Sequence, residues 1–171
     1  MGMVGIYLRT SDENITKLHN GTLSIADLVL DDDGEYIEDE TLMDIDKAWH
    51  MLHFVLTGQT SVDSSDDNPL SKVAMGGDNI RKGEDCDGWQ FGRSITSQQV
   101  VATCEVLKGV KKSWIADNFN LSDMLENEVY PVQDHHNKEE MLEYLLEYFD
   151  DVVDFFNEAK DENQAIVFFV A

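Results

Sequence analysis

DIDKAWHMLHFVLTG, residues 44–58, is the stretch whose reading decides the fold, because helical spacing, aromatic bulk and ligand-type side chains coincide in it. At about 100° per residue, Ile45, Ala48, Trp49, Leu52, Val55 and Leu56 share one broad face, and Met51 and Phe54 add apolar surface around most of the remainder. A helix apolar on nearly every side is a buried one, so the spacing predicts a central helix with the rest of the chain packed around it. Asp46, His50, His53 and Thr57 form a narrow polar seam linked by three- and four-residue steps, which makes them neighbours on a helix surface.

Upstream, residues 2–8 read as a strand with Val4, Ile6 and Leu8 on one face and Met3, Gly5 and Tyr7 on the other. Ser11 caps a short helix carrying Ile15 and Leu18 that stops near Asn20 and Gly21, and a second short helix is expected over residues 24–30. Residues 31–40 hold seven acids, Asp31, Asp32, Asp33, Glu35, Glu38, Asp39 and Glu40, and read as an exposed, mobile connector. The connector is not a calcium loop of the EF-hand kind: with Gly34 at the sixth position, Val29 stands first where an acid is needed. The DSSDDN run from Asp63 fails in the same frame, since Asn68 replaces the glycine and Ala74 falls twelfth.

Downstream of Gly58 a polar loop leads to Asn68, Pro69 and Leu70 and a short helical turn ended by Gly76 and Gly77. Residues 78–88 read as a loop and 89–93 as a short strand. Thr96 and Gln99 make a capping box before the amphipathic run of Val100, Val101, Cys104 and Leu107, which Gly109 closes. Short helices are expected around Trp114, Ile115 and Phe119, and after a Ser122 cap around Met124 and Leu125. Tyr130 must leave helical geometry before Pro131. Asn137 and Glu140 then open the longest helix, to about Ala159, with Leu145, Phe149, Val152, Phe155 and Phe156 inward and Glu143, Glu147, Asp151, Asp154 and Glu158 outward. The final AIVFFVA is apolar without alternation, as in a strand covered on both faces.

The 171 residues suit one domain, 1–171, able to bury a core without staples. Two cysteines do not make a disulfide framework; with no secretory leader they indicate a reducing cytoplasm, Cys104 as a core thiol and Cys86 with little thiolate character between acids. No apolar run approaches the roughly 18 residues of a membrane span. The net charge of −23, from 12 Lys plus Arg against 35 Asp plus Glu, repels phosphate backbones and anionic lipid. It argues against nucleic acid and membrane, and suits a basic protein partner whose encounter it would steer. Neither Gly-x-x-x-x-Gly-Lys-Ser/Thr nor Gly-x-Gly-x-x-Gly nor Gly-x-Ser-x-Gly occurs, so no motif calls for a cofactor or a nucleophilic serine.

With these residues placed, the chain resembles the YfbM-like family of bacterial proteins, a domain of unknown function. The resemblance rests on MGMVG at the start, DIDKAWHMLHFVLTG, the following Asn68-Pro69-Leu70, the Glu128-Val129-Tyr130-Pro131 segment, and the closing long helix and apolar strand. It implies a small cytoplasmic α+β domain, mainly helical with a small sheet; the residue patterns place the N-terminal and C-terminal strands in that sheet and pack the domain around a central buried helix. It implies no catalytic mechanism, because the family has none to transfer.

Two function classes follow. The first is a non-catalytic acidic binding protein that meets a basic partner through Asp31, Asp32, Asp33, Glu35, Glu38, Asp39 and Glu40; an immunity protein neutralising a cationic toxin is one form of it. The second is a hydrolase or metal-dependent enzyme built on Asp46, His50 and His53, a histidine pair three residues apart with a carboxylate that suits one metal ion or a proton-transferring imidazole. Against the second stand the missing His-Glu-x-x-His pattern and the setting of His53 between Leu52 and Phe54, where a hydrogen-bonded core histidine is the ordinary reading. His135 and His136, flanked by acids, are read as a solvated pair rather than a metal patch.

Overall fold

The computed structural model describes residues 2–61, 68–80 and 91–171. The apolar C-terminus forms β5 (Ala165–Val170), buried along its whole length. It is central because both neighbours pair with it antiparallel: β1 (Gly5–Thr10) on one side, with Tyr7 opposite Phe168, and β4 (Phe91–Ile95) on the other, with Arg93 opposite the same residue. The outer strands are β2 (Leu42–Asp44) beside β1 and β3 (Asp78–Asn79) beside β4, giving the order β2-β1-β5-β4-β3.

Because side chains alternate across a strand, the sheet feeds two cores. Ile6, Leu8, Ala165, Val167 and Phe169 point to the smaller one, closed by Ile15 and Leu18 of α1 (Asp12–Asn20) and Val29 of α2 (Ala26–Val29). Tyr7, Ile166, Phe168 and Val170 point to the larger one, built from α3 (Trp49–Thr57), α4 (Ser97–Leu107), α5 (Lys112–Asn118), α6 (Leu121–Glu126) and α7 (Lys138–Asp161). The described residues thus form seven α-helices, a 3-10 turn over Pro69–Lys72 and a five-stranded antiparallel sheet, an α+β architecture. No helix among them is long and apolar enough to cross a membrane.

Local signals set most helix ends. Ser11 caps α1 by accepting from Asn14 N–H, and Thr96 and Gln99 make the reciprocal capping box of α4. Asn137 accepts from the amides of Glu139 and Glu140 at the start of α7, whose Leu145, Phe149, Val152, Phe155 and Phe156 are buried while Glu143, Glu147, Asp151, Asp154 and Glu158 face out. Each of those five core side chains is worth about 1.5–3 kcal/mol on burial. Gly58 ends α3 at φ 71°, a left-handed conformation that costs a residue with a Cβ.

Several boundaries differ from the sequence reading. The first strand runs from Gly5, not from residue 2, and extends to Thr10. Residues 78–79, read as loop, pair with Arg93 and Ser94 as β3. Asn120, not Ser122, caps α6, because its side chain accepts from the amides of both Ser122 and Asp123. Most consequential, the central helix starts at Trp49 and not near Asp44. Ile45 N–H donates to Gly5 O and Gly5 N–H to Asp46 O, so the sheet captures the backbone that Ile45 and Ala48 alone would assign to a helix. The earlier readings at Asp63, Cys86 and Trp89 lie outside the described residues.

Candidate functional site

Tertiary contacts gather the segments that carry the family resemblance into one junction. Met3 N–H donates to the Tyr130 hydroxyl at 3.0 Å, and the Trp49 indole N–H donates to Met3 O at 3.1 Å. Tyr130 N–H donates to His50 Nδ1 at 3.0 Å, and Trp49 packs its ring between those of His50 and Tyr130, with centroids at 5.1 and 5.9 Å. The MGMVG start, the DKAWH core and the EVYP segment are therefore one hydrogen-bonded unit, although Met3 and Tyr130 stand 127 residues apart.

His50 is a structural member of this unit. With Nδ1 accepting from a backbone amide, the proton must sit on Nε2, which donates to Thr60 O at 2.9 Å. Both nitrogens are engaged and the ring is neutral. Burial lowers its pKa from the ordinary value of 6.5, an effect that outweighs the opposing bond to Thr60.

His53 is fully buried. Its Nδ1 lies 3.0 Å from Ala74 O, a contact that requires Nδ1–H as donor, and the Thr57 hydroxyl sits 3.4 Å from Nε2 while donating to the His53 carbonyl. The ring thereby locks α3 to the segment after the 3-10 turn.

Asp46 is placed elsewhere, in the turn before α3. It takes φ 43°, a left-handed conformation uncommon outside glycine, and three contacts hold it there. Its N–H donates to Asp44 Oδ1 at 2.5 Å, its Oδ2 accepts from the Tyr144 hydroxyl at 2.9 Å, and that hydroxyl accepts in turn from Lys47 N–H at 3.0 Å. The expected helical seam of Asp46, His50 and His53 is thus resolved into three side chains with three different sets of partners. Among the described residues no three His, Cys, Asp or Glu side chains come within reach of one metal ion. His136 accepts from Gln133 N–H, and His135 packs edge-on against it.

A feature that sequence reasoning missed lies around Asp46. Tyr144 and Tyr148 sit edge to face, centroids 5.2 Å apart, both half-buried. Burial raises the pKa of each hydroxyl, and the carboxylates of Asp46, Asp44, Glu147 and Asp151 push the same way on Tyr148. Both phenols stay protonated in a strongly negative field. The i, i+4 spacing of two tyrosines was visible, but their proximity to residues 44–46 was not. A second missed contact pairs His19 Nε2 with the Ser94 hydroxyl at 2.8 Å, the geometry of a base with a nucleophile. Ser94 is 2% exposed, so substrate cannot reach it, and the pair fastens α1 to β4.

The acidic segment is exposed and folded. All seven acids of residues 31–40 are exposed, and Asp31 shapes their turn by accepting from the amides of Asp33 and Glu35. Leu30 bridges Tyr36, and Asp39 accepts from Thr41 N–H, which lowers its pKa. Buried Arg9 donates to Glu40 O at 2.9 Å and pairs with Glu158 of α7 at 3.2 Å. Arg9 thus links the end of the acidic segment to Glu158 near the C-terminal end of α7. Among the described residues, none of the seven acids enters an ion pair with a cationic side chain.

Comparison with known proteins agrees with this architecture. The crystal structure of a protein of unknown function, YfbM from Escherichia coli, superposes with a TM-score of 0.73 over 98% of this chain and 99% of that one, at 20% identity. By sequence, protein YfbM of Escherichia coli (strain K12) is 29% identical over 131 residues, 77% of this chain and 74% of that protein. The family described as "Domain of unknown function (DUF1877)" matches residues 1–169, and the chain belongs to that family.

Proposed function

We propose that the protein is a non-catalytic binding protein whose acidic exterior recognises a basic protein partner. The observation that carries this reading is the set of seven exposed carboxylates in residues 31–40, shaped in part by the turn at Asp31, none of which enters an ion pair with a cationic side chain among the described residues. Unneutralised charge of one sign on an ordered surface accelerates encounter with an oppositely charged protein and suppresses like-charged ones. An immunity-like protein that occludes a cationic toxin is one form such binding takes. An enzymatic reading built on Asp46, His50 and His53 has no comparable support, since each side chain has its own structural partners.

The test is affinity capture from the native host at low and high ionic strength. The baits are the wild-type protein and a variant in which the seven acids of residues 31–40 become Asn or Gln. A cationic protein retained by the wild type at low salt, and lost both at high salt and with the variant, is the expected result. Capture of the same proteins by both baits, or none that salt releases, overturns the proposal.

A further inference from the structure

Among the described residues, the strongly acidic surface is interrupted by a cluster of lysines at the turn from α4 into α5, where it faces α7. Lys108, Lys111 and Lys112 fall within five residues, and Lys160 acts on the same region from the end of α7. Between these elements lies a cleft of about 230 Å³. Leu107, Val110 and Val153 supply apolar wall, Cys104 the floor, and Lys108, Lys111 and Asn157 the polar rim, with no carboxylate in the lining. In a chain with 35 acids against 12 bases, that local inversion needs a local reason.

We propose that this cleft binds a small organic anion, a compact monocarboxylate with an aromatic or branched apolar body. Three observations define the ligand. Lys112 is neutralised by Asp150 and Lys108 by Glu105 at 2.5 Å, whereas Lys111 meets no carboxylate among the described residues. The Asn157 side-chain amide on α7 makes no hydrogen bond to a described protein group and is open to solvent, so a cation and an N–H donor at the rim are free to meet a ligand. The volume lies below that of sites for drug-sized molecules, which restricts the occupant to a compact one. The body of such a ligand covers Leu107, Val110 and Val153, while its carboxylate meets the Lys111 ammonium and the Asn157 amide. Cys104 takes no covalent part: its thiol donates to Phe156 O at 3.3 Å, and burial keeps it protonated. This inference is independent of the acidic face and survives if the basic-partner reading fails.

Backbone amide NMR titration tests it, with benzoate, phenylacetate and isovalerate as probes and phenylacetamide and phenethylamine as neutral and cationic counterparts. At least one carboxylate is expected to saturate in the millimolar range with shifts centred on Leu107, Val110 and Val153. The matched amide and amine should not saturate. Lys111→Gln, an exposed substitution that leaves the fold intact, should weaken carboxylate binding about fivefold. Val153→Trp should fill the cleft and abolish it. The proposal is overturned if no carboxylate saturates, if the amide binds as tightly as its carboxylate, or if Lys111→Gln leaves the affinity unchanged.

Discussion

Acidification probes the junction at His50 directly. Tyr130 N–H occupies Nδ1 and Thr60 O receives the Nε2 proton, so the fold holds the neutral ring; protonating Nδ1 would turn its acceptor into a second donor facing an N–H. Burial, the larger effect, depresses the folded pKa below 6.5, and the Thr60 contact opposes it only in part. Between the folded value and 6.5 the unfolded chain carries the extra proton, so stability rises with pH across that window. The contribution is fully present above 6.5 and is lost as pH falls toward the folded value. One proton limits the slope to about 1.4 kcal/mol per pH unit, or a fall of about 3–5 °C in Tm per unit for a chain of this size. The assay is urea unfolding at a series of pH values from neutrality to about pH 5 for the wild type and His50→Gln. The Gln amide can accept from Tyr130 N–H and donate to Thr60 O without titrating in this range. The variant should be less stable at neutral pH and show a flatter profile below 6.5. Relief of carboxylate repulsion acts on both proteins alike and cancels in the comparison. Equal slopes in the two proteins would refute the assignment of the proton to His50.

Three substitutions test the packing that supports the junction. Tyr7→Phe removes the hydroxyl that donates to Val73 O at 2.6 Å inside the core, leaves that carbonyl unpaired and keeps the ring contacts with Phe155, Phe156 and Phe168; a loss of about 1–3 kcal/mol in urea unfolding is expected. Gly5→Ala places a Cβ 2.8 Å from Trp49 Cβ, so the start of α3 must shift: expected are a stability loss of about 1–3 kcal/mol and an altered Trp49 fluorescence spectrum. Thr96→Ala deletes one half of the capping box of α4 and should cost about 0.5–2 kcal/mol by thermal unfolding, with little change in the spectrum of folded protein.

Much of the architecture was legible because its signals are local. Ser11 with Gly21, Thr96 with Gln99, Asn137 ahead of α7 and Asn68 before the 3-10 turn each act within one helical turn, and each stands at an observed boundary. AIVFFVA could be read as a doubly covered strand because only a central position buries six successive residues. The candidate site was less legible. Helical periodicity put Asp46 on the face of His50 and His53, since Ile45 and Ala48 continue the apolar pattern of α3 backwards; pairing with Gly5 took those residues out of the helix.

The sequence by itself determined the two terminal strands, most helix caps and the acidic exterior, because composition and short-range spacing express each of them, and it implied the α+β class through its family resemblance. Only the tertiary structure decided which side chains meet. The contacts of Met3 with Tyr130, Lys47 with Tyr144 and His50 with Tyr130 span 127, 97 and 80 residues, and no periodicity encodes such distances. It also decided the state of the histidines. An imidazole's role follows from what faces its two nitrogens, and for His50 and His53 those neighbours are backbone groups whose positions are set by the packing of α3 against the rest of the core.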